Sequence, residues 1–170
     1  MIVLDACMVI SFGNVNRLDL LDTLRQDTIC VSARARTVVV RDPARAVMEA
    51  SISAGRLAVG TLDLENSAEQ QALQRYDARP MFRGRGDAEV LALAATRGYI
   101  VASDEQAIRT AVINEFGVDR LARTADFLVW AVREGRLQVD DAERLLTELD
   151  SGERIRRQLH QSGRKFKDLL

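Results

Sequence analysis

Two carboxylates frame the most informative stretch of the chain, Gly86 to Glu105, and either could cap a helix or belong to a site. Asp87 stands where an N-cap belongs, ahead of Ala88, Glu89 and Val90, and Gly98 supplies a left-handed stop for the helix they begin. Tyr99 to Ala102 is a short apolar run that predicts an interior strand of a parallel sheet, with Asp104 at its carboxyl end. Open α/β sheets build their sites outside the carboxyl ends of strands, so Asp104 is a candidate site residue. Ile2-Val3-Leu4 followed by Asp5 repeats the arrangement. The competing reading is plain helix capping, since Asp is a favoured N-cap and both Asp87 and Asp104 precede helical patterns. Other chemistries are poorly supported. Cys7 and Cys30 have no Cys or His neighbour at ligand spacing, and the single histidine, His160, lies in a polar stretch near the C-terminus, which argues against a zinc site and against a Ser-His or Cys-His nucleophile.

The elements that must position these acids can be read in order. After the first strand, Ala6 to Phe12 predicts a helix ended by Gly13 and Asn14, and Asn16 caps a second helix with Leu18, Leu21 and Leu24 on one face. Thr28 to Val31 is a second strand. Ser32 to Asp42 is ambiguous, because the β-branched run Thr37 to Val40 favours a strand while a helix starting at Ser32 is the reading preferred here. Asp42-Pro43 predicts an N-cap with proline at the first helical position, opening a helix to Ala54 that Gly55 closes. Leu57 to Leu62 predicts a strand and Ser67 to Arg75 a polar helix, followed by the arginine-bearing loop Ala78 to Gly86. Its Arg85-Gly86-Asp87 is a helix start rather than an adhesion motif. Gln106 to Phe116 predicts a helix ending at Gly117, Val118 to Ala122 a last weak strand, and Thr124 the cap of a helix to Glu134 that Gly135 stops. Asp140 with Glu143 predicts a capping box for a helix bearing Leu145, Leu146 and Leu149, and Ser151-Gly152 breaks the chain before a basic tail with Ile155, Leu159 and Phe166 on its apolar side.

Composition bounds the class. The chain has 170 residues, 47% of them hydrophobic and 29% charged, which suits one soluble globular domain with a real core. A net charge of −1 gives no global positive field, although a local arginine cluster could still meet phosphate; apart from Lys165 and Lys167 every basic residue but the histidine is arginine. Met1 leads straight into the first strand without a basic leader, no apolar run approaches membrane-spanning length, and two unpaired cysteines fit reducing conditions, so the expected location is cytoplasmic with no membrane contact. The domain is expected at residues 1–135, with a helical extension at 136–170.

Strand-Asp5, then Asp42, then Asp87 opening the alanine-rich helix DAEVLALA, then IVAS-Asp104 resembles the PIN domain, the nuclease fold of VapC-type toxins. The resemblance is most specific over residues 87–104 and looser over 1–135; Gly86-Asp87-Ala88-Glu89 together with the tail resembles the subgroup whose third motif reads GE-A-E and which carries a helical C-terminal extension. It implies a three-layer α/β/α fold around a central, mostly parallel sheet of four to five short strands. It also implies a site of Asp5, Asp42, Asp87 and Asp104 holding Mg²⁺ or Mn²⁺, with Asp5 and Asp104 as central ligands. Glu49 competes with Asp42 for the second acid. Glu89 should point about 200° away from Asp87 around the helix axis, and Glu105 is read as a first-turn partner of the helix dipole. Ala6-Cys7 departs from the family, in which a hydroxyl residue often follows the first Asp closely.

Hard divalent ions on oxygen ligands generate a nucleophilic water and stabilise the pentavalent phosphate, and clustered carboxylates without a cation would repel one another, so such a cluster argues for an ion. The implied activity is that of an endoribonuclease acting as the toxin of a toxin–antitoxin pair, with RNA as substrate, a cognate antitoxin and a homodimer as partners. The candidate contact surfaces are the helix Asn16 to Arg25, the loop Ala78 to Gly86 and the basic tail. The alternatives are an inactive PIN-like module that binds RNA or protein and, less favoured, a phosphoacceptor-type domain, which expects an early acidic pair and a lysine after a later strand.

Overall fold

The computed structural model describes residues 1–22, 28–83, 86–149 and 165–170. Five short strands, β1 (Ile2–Leu4), β2 (Ile29–Ser32), β3 (Ala58–Gly60), β4 (Ile100–Ala102) and β5 (Leu121–Ala122), form an all-parallel sheet in the order β3-β2-β1-β4-β5. Strand β1 is central and wholly buried, as a β-branched and aliphatic run with no polar face must be. Successive side chains of a strand point to opposite faces, so Ile2 and Leu4 enter one core while Val3 enters the other. The first core is lined by α1 (Ala6–Asn14), α3 (Ala44–Ser53), α7 (Thr124–Arg133) and α8 (Val139–Glu148), and the second by α4 (Ser67–Asp77), α5 (Asp87–Arg97) and α6 (Gln106–Phe116). The expected three-layer α/β/α arrangement is therefore present.

Several boundaries differ from the expectation, each for a local reason. Gly13 does not stop α1 but lies inside it, where α1 and α3 touch: a Cβ there would sit 2.7 Å from the Ala44 Cα. Asn16 adopts φ 53° in the turn after α1, and the chain then forms a 3₁₀ turn over Leu18–Asp22 that buries Leu18 and Leu21; Leu24 and the rest of the expected helix lie outside the described residues. The helix read as starting at Ser32 is present as α2 (Ala33–Val38), with Ser32 in the N-cap position accepting from Ala35 N at 3.1 Å, so packing overrides the β-branched run. Helix α3 has Pro43 rather than Asp42 at its N-cap, after a cis Asp42-Pro43 bond, and α8 starts from Gln138 rather than Asp140. Residues Val118–Arg120 form a 3₁₀ turn, leaving only Leu121 and Ala122 for β5. At the chain end Phe166 is buried in the first core, and Arg133 of α7 donates to the Leu170 carbonyl at 2.7 Å; Ile155 and Leu159 lie outside the described residues.

Helix α4 is tied to α5 by an ion pair of the buried Glu69 with the exposed Arg97, Glu69 accepting from Arg97 at 2.7 and 2.9 Å and from Asp63 N at 2.6 Å. The Arg97 hydrogen bonds hold the Glu69 carboxyl below its ordinary range. A depressed carboxyl pKa contributes stability above the unfolded value, about 4.3, and loses it as pH falls through the folded value. Glu69→Gln should therefore melt below wild type at pH 7, with the gap closing as thermal scans move below about pH 4. A gap independent of pH would mean that the glutamate acts through packing rather than charge.

Candidate metal centre

Sheet order and chain direction fix where a site can form. From β1 the chain winds outward through β2 to β3, then crosses to β4 on the other side of β1 and continues to β5. The crevice between the carboxyl ends of β1 and β4 is thus the topological switch point, where open parallel sheets take their ligands. Asp5 follows β1 and Asp104 stands two residues past β4, on the two sides of that crevice. Their strands are locked in register, Leu4 opposite Ala102, and Asp5 N donates to Ala102 O at 3.0 Å.

Asp87 reaches the same edge by a different route. Helix α5 ends at Gly98, whose φ of 71° is the left-handed cap read from the sequence, and β4 begins two residues later. Its C-terminus therefore lies at the amino ends of the strands and its N-terminus at their carboxyl ends, where it packs against β1 and β4. Asp87 is the first residue of α5, not its cap; Gly86 holds the cap position because a side chain there would drive a Cβ to within 2.8 Å of the Ala35 Cα at the start of α2. Helices α1, α6 and α7 also begin at this edge, directly after Asp5, Glu105 and Arg123. Four helix N-termini give it positive partial charge, favourable to carboxylates and to a phosphate alike.

Asp5, Asp87 and Asp104 are 2%, 6% and 4% exposed, far below what an ordinary helix cap needs, and each must be held by polar groups. Asp5 Oδ2 accepts from Ser103 Oγ at 2.9 Å and from Cys7 Sγ at 3.0 Å. Burial lifts the Asp5 carboxyl above its usual range despite those two hydrogen bonds, and burial with the Asp5 charge alongside pushes the Cys7 thiol up, so Cys7 is a protonated donor and not a thiolate. Asp104 Oδ2 accepts from Thr124 Oγ1, and its Oδ1 lies 3.4 Å from Thr124 N and 3.8 Å from Arg123 Nε. Burial raises the Asp126 carboxyl as well, with the charge of Asp104 adding to the effect, while Asp126 accepts from Arg123 N at 2.8 Å.

The other acids lie elsewhere. Asp42 is exposed at the turn before α3. Glu49, its competitor, is held by the Arg36 guanidinium through two hydrogen bonds of 2.8 and 2.6 Å. Glu89 points away from Asp87, as its helical position predicts, and accepts from Arg34 N at 2.6 Å at the start of α2. Glu105 caps α6. Among the described residues no three His, Cys, Asp or Glu side chains are grouped to hold one ion. The structure therefore brings Asp5 and Asp104 to one crevice with Asp87 buried at the adjoining helix start, and does not gather four acids into one ligand set. Two carboxylates still fit a Mg²⁺-type ion, which binds through one or two of them and keeps several waters. Missed at the sequence level were Ser103, Thr124 and Asp126; a hydroxyl residue immediately before Asp104 and another at the end of the next strand are the signals that could have found the first two.

An all-parallel α/β sheet with buried acids at its switch point defines a class of carboxylate-centred domains. A family model described as a PIN domain matches residues 1–164, and the chain belongs to that family, whose members are in general nucleases and typically bind divalent metals. No curated protein and no solved structure matches the chain. Among the described residues no helix is long and apolar enough to cross a membrane.

Proposed function

We propose that this chain is a Mg²⁺- or Mn²⁺-dependent endoribonuclease and the toxin half of a toxin–antitoxin pair. The observation that carries the reading is the placement of buried Asp5 and Asp104 at the carboxyl ends of adjacent parallel strands, where four helix N-termini favour a phosphate. Asp5 and Asp104 would hold the ion, Asp87 would complete the site directly or through water, and Asp42 would approach from the solvent side as the fourth acid. A bound ion supplies a nucleophilic water and neutralises charge developing on the phosphate. The chain's own part is to fix the two carboxylates in a crevice with little water and to leave the phosphate facing positive helix ends.

The exposure of Asp42 and the engagement of Glu49 by Arg36 favour a second reading, an inactive PIN-like module that binds RNA or a protein. Two measurements separate them. Mn²⁺ should raise the melting temperature of the full chain, since an ion that binds only the folded state stabilises it, and Asp5→Asn with Asp104→Asn should remove that rise. Single-stranded RNA should be cleaved with Mg²⁺ or Mn²⁺ and not with EDTA. RNA binding without cleavage of any transcript under either metal would establish the second reading.

A homodimer and a cognate antitoxin complete the proposal, together with a division into a nuclease domain at 1–135 and a helical extension at 136–170. Burial of Phe166 supports an extension whose end folds back onto its own core. Loop residue Met81, 56% exposed, supports the 78–83 segment as a contact surface. Light scattering should give twice the chain mass, and Met81→Asp should reduce it toward one; an unchanged dimer would exclude that loop from the interface.

A further inference from the structure

We propose that Ser103 and Thr124 are positioning residues of the metal centre, each hydroxyl orienting the carboxylate carried by the next strand inward. The proposal rests on the metal-dependent reading above. Ser103, at the end of β4, reaches across to Asp5 at the end of β1; Thr124, just past β5, reaches across to Asp104 beyond β4. Both hydroxyl residues are 0% exposed, so neither exchanges its partner for water.

The hydrogen-bond inventory of a hydroxyl makes the assignment specific. Ser103 Oγ accepts from Glu105 N at 3.0 Å, and of the two groups its single proton can reach, Asp5 Oδ2 at 2.9 Å and Cys7 Sγ at 3.7 Å, the carboxylate is the nearer and the stronger acceptor. The Cys7 thiol approaches the same oxygen, but S–H is the weaker donor. Thr124 holds Asp104 chiefly through Oγ1 on Oδ2, while the backbone N–H lies a long 3.4 Å from Oδ1. A carboxylate pinned through one oxygen presents the other in a set direction, and partners of this kind tune ion affinity by about 10–100-fold.

The test is the Mn²⁺ dissociation constant of the full chain, read from the EPR signal of free Mn²⁺, with melting in EDTA measured alongside. Thr124→Val, which keeps shape and removes the hydroxyl, and Ser103→Ala should each weaken Mn²⁺ about 10–100-fold, and Thr124→Ser should restore wild-type affinity. A merely structural hydroxyl would lower the melting temperature in EDTA without changing the affinity of the folded protein. Unchanged affinity in the folded variants, or a Thr124→Ser protein as weak as Thr124→Val, overturns the proposal while leaving the metal reading intact. Wild type that binds no Mn²⁺ overturns both, and that arm is read without any variant. Should Thr124→Val not fold, Thr124→Ala beside Thr124→Ser decides the same question.

Discussion

Asp104→Asn should cut Mn²⁺-dependent cleavage of single-stranded RNA by more than about 100-fold, since on the proposed reading it removes an oxygen that would touch the ion, a loss that must exceed the 10–100-fold cost of losing a group that only orients a ligand. The substitution keeps the shape of the side chain. It also leaves an acceptor oxygen for the Thr124 hydroxyl, so the fold should survive. RNA affinity should hold or rise, because a negative charge has been removed from the phosphate's path. Initial rates on a labelled transcript with saturating Mn²⁺, beside a binding isotherm in EDTA, measure the two effects separately. Cleavage within tenfold of wild type would place the reaction centre away from the β1–β4 crevice.

Phe127→Ala should cost about 3–5 kcal/mol, a large share of the roughly 5–15 kcal/mol that a domain has, and lower the melting temperature by roughly 6–20 °C. Phe127 is 0% exposed, with its ring edge-on to Phe12 at 6.3 Å and to Trp130 at 5.0 Å. Removing the ring leaves a cavity between α1 and α7 that neither partner can fill without leaving its rotamer. Trp130 is the single tryptophan, so its emission during urea unfolding reports on the altered region directly. Leu64, 57% exposed, serves as the control: Leu64→Ala should stay within about 0.5 kcal/mol of wild type. A loss below about 1 kcal/mol for Phe127→Ala would mean that the cluster is not part of the cooperative core.

What could be read from the chain alone was whatever depends on neighbours in sequence. Gly98 as a left-handed stop, the helix start at Ser32 and the span Gln106 to Phe116 are set by local backbone and capping chemistry, and they stand to within a residue. Asp5 and Asp104 were legible as strand-end acids for the same reason. Gly13 was misread because its need is tertiary: it looks like a helix stop but serves the contact with Ala44. Asp87 was placed one position early because the crowding of Gly86 against Ala35 involves residues far apart in sequence. Thr124 looked like a helix cap, and only the pairing of β5 beside β4 reveals that its hydroxyl is committed to Asp104. The partner of Glu49 was beyond reach for a similar reason, since nothing in the spacing of Arg36 and Glu49 requires that they pair across two helices.

The sheet order also dictates when, during synthesis, the acids can meet. Strands β1 to β3 leave the ribosome first and carry Asp5 and Asp42, whereas Asp87, Asp104 and the Thr124 that steadies it belong to the later half of the sheet. At about 5–20 residues per second the interval between the emergence of Asp5 and that of Thr124 is roughly 6–24 s. The crevice is therefore incomplete through most of translation, and Asp5, Asp104 and Thr124 come together only when β4 and β5 dock beside β1.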